Sequence, residues 1–402
     1  MNALKEAFGA YGARVRSGDI GMLSSVLGIV VLFLLFTIAR PGVFNTAFNF
    51  GNLLAQSAAV IFIAMGLVFV LLLGEIDLSA GFTAGTGAAV LAVLVTQQGW
   101  PPYLAMLVAV LVGTLIGLTL GSIVAFLGIP SFVVTLAAFL ALQGVILLVI
   151  GSGGTIPVRN SEEVRALMNA NMSIAGGWVY LALVVGFFVV MGLLRRRARS
   201  RAGLDPGPAA TFWAGAVGLL VVLGIVVLVL SGERSPNPAA TSIRGVPYIL
   251  PITTVALIGL SLLLNRTAFG RHVYAVGGNK EAARRAGISV QGITILCFMI
   301  SSSLAAFGGI LLASRLGGVD PGTGGAQTLL FAVAAAVIGG TSLFGGRGFI
   351  ASAVLGGLVI GIIQNGLPLV TSESGIQFVV TGLVLLLAAS VDAISRRRST
   401  SG

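Results

Sequence analysis

The stretch that decides the fold reads Asn52-Leu-Leu-Ala-Gln-Ser-Ala-Ala-Val-Ile-Phe-Ile-Ala-Met-Gly-Leu-Val-Phe-Val-Leu-Leu-Leu73. It contains 22 residues and carries no charge. An α-helix of about 20 apolar residues is long enough to cross the hydrocarbon core of a bilayer. The stretch therefore predicts a transmembrane helix.

Runs of the same kind recur along the rest of the chain. They do not alternate between apolar and polar residues, as the strands of a membrane β-barrel do. We therefore predict an all-α fold, a polytopic transmembrane helical bundle of about 10–12 spans. The expected spans are 22–39, 52–73, 79–97, 103–127, 131–151, 177–194, 211–230, 247–264, 291–314, 327–344, 349–366 and 375–394.

The composition agrees with this class. Of the 402 residues, 57% are hydrophobic and 9% are charged, which is more apolar side chain than a soluble core could bury. The 57 glycines are expected to let helix backbones approach closely in lipid. The single cysteine, Cys297, allows no disulfide within the chain and is expected in the core. The first helix lacks a following small-residue cleavage site, so we expect it to be retained.

The basic residues predict the topology. With the N-terminus in the cytoplasm, 17 of the 23 lysines and arginines fall on the inner side, and the positive-inside rule then places both termini in the cytoplasm. The formal charge of +11 is therefore attributed to topology and lipid contact, not to nucleic-acid binding. The inner residues are Lys5, Arg14, Arg16, five arginines in 195–201, five basic residues in 266–285, Arg347 and Arg396–Arg398.

Two glycine-rich breaks resemble each other. Gly74-Glu-Ile-Asp-Leu-Ser-Ala-Gly81 aligns without gaps with Gly339-Gly-Thr-Ser-Leu-Phe-Gly-Gly346, and eight expected spans lie between them. An even number of intervening spans predicts two parallel repeats, 1–151 and 246–402. A chance likeness of glycine-rich turns is the alternative. The segment 152–245 has no counterpart in the second half and is interpreted as an inserted helical pair.

Few residues within the apolar sequence could carry chemistry, and ionisable groups in lipid are costly. Glu75 and Asp77 lie at the first break, where they could line a cavity, although Asp77 before Leu-Ser also fits a helix N-cap, the reading that we favour. Other polar side chains could line a pathway or, more commonly, bridge helices. They are Gln56, Ser57, Thr135, Gln143, Gln364 and Asn365.

The sequence does not favour an enzyme. The only histidine, His272, lies in a polar loop, so a serine triad or a histidine metal site has no base to use. A phosphate-binding loop with Lys-Ser or Lys-Thr is missing as well. We expect no cofactor and no metal, and an energy source on another protein. The scarcity of embedded carboxylates argues against a stand-alone proton-coupled sugar carrier, but this hypothesis stays open.

The polar loop Asn265–Val290 is expected in the cytoplasm. Its run Glu281-Ala-Ala-Arg-Arg-Ala-Gly287 predicts a short helix with glycine at the C-terminal cap. Such a helix could fit a groove on a partner protein, or the loop could be a solvated basic segment near anionic lipid. The residues alone favour neither.

Five ordered motifs carry a resemblance to a known family. They are Gly74–Gly81, Gly128–Thr135, Thr267–Asn279, Glu281–Gly287 and Gly339–Gly348. At these residues the chain resembles the membrane permease subunits of bacterial ATP-binding cassette importers for monosaccharides, of the ribose and xylose type. The inserted segment is similar to the middle extension of the xylose type, so xylose or a similar pentose is the expected substrate.

The resemblance implies a homodimeric permease in the plasma (inner) membrane, driven by a cytoplasmic ATP-binding subunit and fed by an extracytoplasmic sugar-binding protein. A heterodimer with a second permease stays open. It also implies an ATPase-coupling helix, with Cys297 and Phe298 departing from the wider importer motif that follows it. The implied coupling residues are Arg271, Asn279, Glu281, Ala282, Ala283, Arg284 and Gly287.

Two further sets of residues complete the expected sites. For the translocation pathway or the structural breaks they are Glu75, Asp77, Ser79, Thr135, Gly340, Thr341, Ser342 and Asn365. For docking of the binding protein on the outer side, through scattered charges, they are Glu162, Glu163, Arg244 and Asp320.

Overall fold

A computed structural model of the chain describes residues 21–151, 154–383 and 386. The helices are α1 (Gly21–Ala39), α2 (Ala47–Leu72), α3 (Ala80–Ala92, continued by a π-helical turn at Val93–Gln97), α4 (Pro102–Leu127), α5 (Ser131–Ile150), α6 (Glu162–Asn169), α7 (Ile174–Arg201), α8 (Ala209–Ser231), α9 (Ile249–Arg266), α10 (Ala268–Gly278), α11 (Lys280–Arg285), α12 (Val290–Leu316), α13 (Ala326–Ile338), α14 (Ile350–Val370) and α15 (Ser374–Leu383). Strands β1 (Ile156–Pro157) and β2 (Gly318–Val319) pair antiparallel.

The predicted helical bundle is confirmed. Within the described part of the chain, nine helices are long and apolar enough to cross a membrane, namely α2, α3 with its π turn, α4, α5, α7, α8, α9, α12 and α14. The other three expected spans correspond to the shorter apolar helices Ser25–Ala39 (within α1), α13 and α15. Within the described residues each expected span thus contains a helix, since a helix satisfies its own backbone groups in lipid. Positions 384, 385 and 387–394 of the last expected span lie outside the described residues.

Helix α12 is the centre of the bundle and packs against α2, α3, α4 and α6. Small residues bring the helices together: a Cβ on Gly113, Gly117 or Gly121 of α4 would lie within 3.0 Å of α12 atoms. This spacing of four puts the three glycines on one helix face. Close packing through small residues, as expected from the composition, holds α4 against the core. Cys297 of α12 is buried, as predicted.

The segment 152–245 contains two long helices at the edge of the bundle, and its being an insertion stays a prediction. Helices α7 and α8 pack against each other, and most of their residues are not buried within the chain. Tyr180 of α7 hydrogen-bonds Thr254 of α9 through their hydroxyls at 2.7 Å. The pair therefore lies beside α9, outside the core helices. The first two residues of the segment, Ser152 and Gly153, lie outside the described residues.

One expected span is too long at its C-terminal end. The prediction 327–344 is wrong in extent, because α13 ends at Ile338 and has 13 residues. Thirteen residues rise about 20 Å, less than the roughly 30 Å of a hydrocarbon core. The chain from Gly339 to Phe349 leaves the helix through Gly340, Gly345 and Gly346, all with positive φ. The helix therefore ends about six residues earlier than the apolar pattern suggested, at the start of the second break, Gly339–Gly346.

The polar loop 265–290 is more ordered than expected. It contains the predicted short helix, α11, but α9 runs on to Arg266 and α10 occupies Ala268–Gly278. The predicted orientation of both termini rests partly on Lys5, Arg14, Arg16 and Arg396–Arg398, which lie outside the described residues.

Candidate functional site

Helix α11 has a defined start and a defined end. The Asn279 side-chain oxygen accepts a hydrogen bond from the Ala282 amide at 2.9 Å, which caps the first turn. At the other end the Gly287 amide bonds the Arg284 carbonyl and the Ile288 amide bonds the Ala283 carbonyl, both at 3.0 Å. This pair of bonds is a Schellman motif, which needs the left-handed φ of +81° that Gly287 adopts.

The surface of α11 faces away from the chain. Ala283 is buried, whereas Glu281, Ala282, Arg284 and Gly287 are exposed. Arg284 pairs with Glu281 along the helix at 2.9 Å. The six-residue helix is thus held by its caps and by Ala283, and it presents a small, mixed-charge surface. Arg271 lies on the exposed side of the neighbouring α10.

Helix α10 attaches α11 to the bundle, and the sequence analysis missed it. The Thr267 hydroxyl accepts a hydrogen bond from the Gly270 amide at 3.2 Å, and Gly270, Val273 and Val276 form the buried face. The Tyr274 hydroxyl donates to the Gly348 carbonyl at 2.7 Å. Burial raises the pKa of Tyr274, so the hydroxyl keeps the proton that it donates. The helical spacing of the three buried residues was the feature of the sequence that could have predicted α10.

The two glycine-rich breaks meet each other at the end of α10. The Gly346 amide donates to the Leu72 carbonyl at 2.9 Å. A Cβ on Gly277 would lie 1.8 Å from that same carbonyl oxygen, and one on Gly74 would lie 3.4 Å from the Phe344 carbonyl oxygen. The end of α2, the end of α10 and the second break therefore touch through their backbones. We call this contact of Leu72, Gly277 and Gly346 the backbone junction.

An ion pair joins the same regions. The Lys280 ammonium, in the first turn of α11, contacts the Glu75 carboxylate in the first break, 205 residues away in sequence. The Glu75 side chain is 13% exposed and that of Lys280 is 47% exposed. Glu75 is therefore bound to the helix in which coupling was expected, and its place along a pathway stays a prediction. Lys280 was not among the expected site residues, because nothing local in the sequence connects it with Glu75.

Asp77 organises the start of α3. Its Oδ1 atom accepts hydrogen bonds from the Ser79 amide at 2.9 Å and the Ser79 hydroxyl at 2.6 Å, and its Oδ2 atom accepts from the Ser301 hydroxyl of α12 at 3.2 Å. Ser79 is the residue in the N-cap position. The predicted N-cap role of Asp77 is therefore wrong, because α3 begins two residues later than that role requires. Asp77 instead holds Ser79 and connects the break to the central helix.

Helix α5 fixes the break from the other side. The Ser131 hydroxyl accepts from the Ile76 amide at 3.0 Å, and the Thr135 hydroxyl donates to the Ile76 carbonyl at 3.2 Å. Asp77, Ser79 and Thr135 are all buried. The first break is therefore an ordered segment in which both backbone and side chains have partners.

The second break is held partly by its own backbone. The Thr341 amide bonds the Ala336 carbonyl at 3.0 Å, and the Ser342 amide bonds the Arg347 carbonyl at 2.8 Å. Gly340 has a φ of +106°. The Thr341 hydroxyl is buried and has no hydrogen-bond partner among the described residues. Gly340, Thr341 and Ser342 thus begin the break whose later residues, Phe344 and Gly345, approach Gly74.

Asn365 lies elsewhere. Its side-chain amide exchanges hydrogen bonds with that of Asn49 at 2.7 and 3.0 Å, which bridges α14 and α2 near the start of α2. Gln56 also bridges helices: it donates to the Gly361 carbonyl at 3.1 Å and accepts from Arg315 at 2.8 Å. Both residues therefore do what polar side chains in packed membrane helices most often do.

The four expected docking residues do not form one cluster of mutual contacts. Glu162 and Glu163 are exposed in the first turn of α6, which Ser161 caps. Arg244 pairs with Glu233 at 2.9 Å. Asp320 folds its own turn by accepting from the Gly322 amide at 2.8 Å.

The 233–244 loop is held together by hydrogen bonds to Glu233. Hydrogen bonds from the Ser242 hydroxyl and from the Ile243 and Ser235 amides hold the pKa of Glu233 well below its usual range. Because the folded-state pKa is lowered, this stabilisation is present at neutral pH and is lost only as the pH falls through the folded-state value. The 233–244 loop should therefore keep its shape across the physiological range.

The chain is similar to known proteins along most of its length. Residues 49–389 match a family described as the permease component of the branched-chain amino acid transport system. The chain is 35% identical to the xylose transport system permease protein of Escherichia coli, over 96% of this chain and 95% of that protein. It is 30% identical to the ribose import permease protein of Bacillus subtilis, over 93% and 94%.

A probable ABC transporter permease protein of Sinorhizobium fredii is also 30% identical, over 96% of this chain and 94% of that protein. No solved structure matches the chain. The family match covers well over half of the chain. The chain also aligns with nearly the whole length of each of these permeases. The five motifs thus indicated the right family, and the chain belongs to this family of multi-pass membrane permease components, among the monosaccharide permeases of ATP-binding cassette transporters.

Proposed function

We propose that the chain is the permease subunit of an ATP-binding cassette importer that moves xylose or a similar pentose inward. The substrate follows from the names of the xylose permeases of Escherichia coli and Haemophilus influenzae, which are 35% and 32% identical over 96% of the chain. The permease itself hydrolyses no ATP in this scheme. A cytoplasmic ATP-binding subunit supplies the energy, and an extracytoplasmic sugar-binding protein supplies the pentose.

The observation that carries the proposal is the attachment of α11. This exposed, doubly capped helix contacts the first break through Lys280 and Glu75. Immediately before it, the end of α10 contacts Leu72 and Gly346 at the backbone junction. A partner that moves α11 would therefore move the ends of α2 and of the second break together. That is the mechanical connection that an importer needs between its ATPase and its membrane helices.

The proposal includes a homodimer in the plasma membrane with both termini in the cytoplasm. Helix α11 then faces the ATPase, and α6 with the 233–244 loop faces the binding protein. Glu162 and Glu163, exposed on α6, are the residues that we propose for contact with the binding protein. Arg244 and Asp320 belong to the same proposed surface.

Reconstitution tests the class of transporter. The chain would be placed in proteoliposomes with or without the ATPase and the binding protein encoded by neighbouring genes, and labelled xylose uptake would be measured. We expect uptake only with both partners and ATP, and stronger competition by unlabelled xylose than by ribose. Accumulation of xylose by the chain alone under a pH gradient would contradict the proposal and favour a proton-coupled carrier.

A further inference from the structure

A cavity of about 640 Å³ lies between α7, α8 and α9, away from the breaks and from α11. Its volume is within the roughly 300–1,000 Å³ of small-molecule sites. None of the expected site residues lines it. The inserted helical pair forms most of its wall, so the cavity exists only because the segment 152–245 is present.

The chemistry of the cavity changes along its length. On α7 the lining residues repeat at helical spacing, so they share one face; Val184, Phe187 and Phe188 come first, and Arg195 and Arg199 come last. Fifteen residues separate Val184 from Arg199, a rise of about 22 Å along the helix. One end of the cavity is therefore apolar and the other is cationic.

A second helix repeats this gradient. On α9, Leu257 and Ile258 line the apolar part and Arg266 lines the basic part. The basic ends of α7 and α9 thus lie at the same end of the bundle. Among the described residues that line the cavity, none is acidic. The nearby Asp205 uses its carboxylate to accept the Gly207 amide at 2.8 Å.

The arginines differ in what they already contact. Arg196 donates to the carbonyl oxygens of Pro206, Gly207 and Pro208 at 2.9–3.3 Å and lies over the Phe212 ring, so it is a structural residue. Arg199 donates through Nε to the Asp205 carbonyl at 2.9 Å. Within the described part of the chain, Arg195, Arg199 and Arg266 have no carboxylate within ion-pair distance. Their positive charge is available to an anion.

We propose that this cavity binds one anionic phospholipid, with its phosphate headgroup at Arg195, Arg199 and Arg266 and an acyl chain along the apolar face of α7 and α9. A molecule with a negative head and an apolar tail matches both ends of the cavity, and basic pockets between membrane helices commonly hold such headgroups. The site requires the inserted pair, and it is independent of the sugar and of the partner proteins.

Native mass spectrometry of the purified chain, titrated with phosphatidylglycerol, tests the site. We expect one tightly bound lipid per chain and weaker binding of phosphatidylcholine. Arg195→Gln with Arg199→Gln should weaken binding by about 30-fold, roughly fivefold for each arginine. The matched control is Arg197→Gln with Arg201→Gln, which removes the same charge from the same helix end outside the cavity lining. Its affinity should equal that of the unaltered chain.

Three outcomes would overturn the proposal. Equal losses in both double variants would mean that only the general basic charge attracts lipid. Displacement of the lipid by glycerol phosphate at equal concentration would mean that the apolar wall contributes nothing. Arg266→Gln, on a different helix, provides an independent reading if the α7 variant does not fold, and unaltered affinity in that variant would also contradict the site. Since the measurement involves no transport, its failure is distinct from failure of the proposed importer function.

Discussion

At the scale of single residues, the contact between Lys280 and Glu75 connects the surface to the interior. Both are charged and partly exposed, so the pair contributes little to the free energy of unfolding, about 0–1 kcal/mol. Its position between α11 and the first break gives it a different role in our proposal: it keeps the break aligned with the helix that the ATPase would move.

Charge reversal at this pair should separate transport from stability. We expect Lys280→Glu or Glu75→Lys to reduce ATP-driven xylose uptake several-fold, because like charges would push α11 from the break, while the thermal midpoint shifts by only a few degrees. The double exchange restores the opposite charges and should recover much of the uptake. Single variants with full uptake would show that the ion pair does not transmit motion.

The sequence shows Glu75 and Lys280 separately but not as a pair. Their contact depends on how α10 folds back against the end of α2, which no local pattern specifies. Asp77 is similar: capping preferences placed it at the start of α3 but made it the N-cap, a position that Ser79 holds, and its bond to Ser301 depends on the packing of α12. Local chemistry is therefore predictable here, and partners distant in sequence are not.

At the scale of elements, the ends of α11 determine its shape. A residue other than glycine in the left-handed region costs roughly 1–2 kcal/mol, so Gly287 is the position where a methyl group should matter most. The prediction of a glycine-terminated helix needed only the sequence Glu281–Gly287. Helix α10 was missed because its buried face has only three residues and lies within a polar segment.

Gly287→Ala should therefore weaken binding of the ATP-binding subunit by a factor of several and reduce xylose uptake with it. The matched control is Gly278→Ala, nine residues earlier, where φ is not positive and an added Cβ meets no atom within 4 Å. Co-purification of the ATPase with each variant would measure the effect. Equal recovery with both variants would contradict the proposed docking role of α11.

At the scale of the whole molecule, the apolar pattern predicted a helix at each expected span within the described residues, but not the length of every helix. Helix α13 is shorter than its apolar run because Gly339 and the glycines that follow adopt turn conformations. The likeness of the two breaks was visible in the sequence, and the structure brings these breaks into contact. Whether they mark two parallel repeats stays a prediction, as do the homodimer and the orientation of the termini.

Cysteine labelling would test the orientation. Cys297 is fully buried, so a single introduced cysteine should react without background. We expect Glu162→Cys to react with a membrane-impermeant maleimide in intact cells, and Ala282→Cys to react only after the membrane is opened. The reverse pattern would place α11 outside the cell and exclude the proposed contact with a cytoplasmic ATPase.

The backbone junction has a consequence for how motion spreads through the permease. Where side chains separate two elements, a small displacement can be absorbed by a change of rotamer. No side chain separates the segments at Leu72, Gly277 and Gly346, because carbonyl oxygen, amide and α-carbon meet directly. A displacement cannot be absorbed there by a change of rotamer. The three segments should therefore move together. A displacement of α11 at the surface should reach the membrane helices with little loss of amplitude.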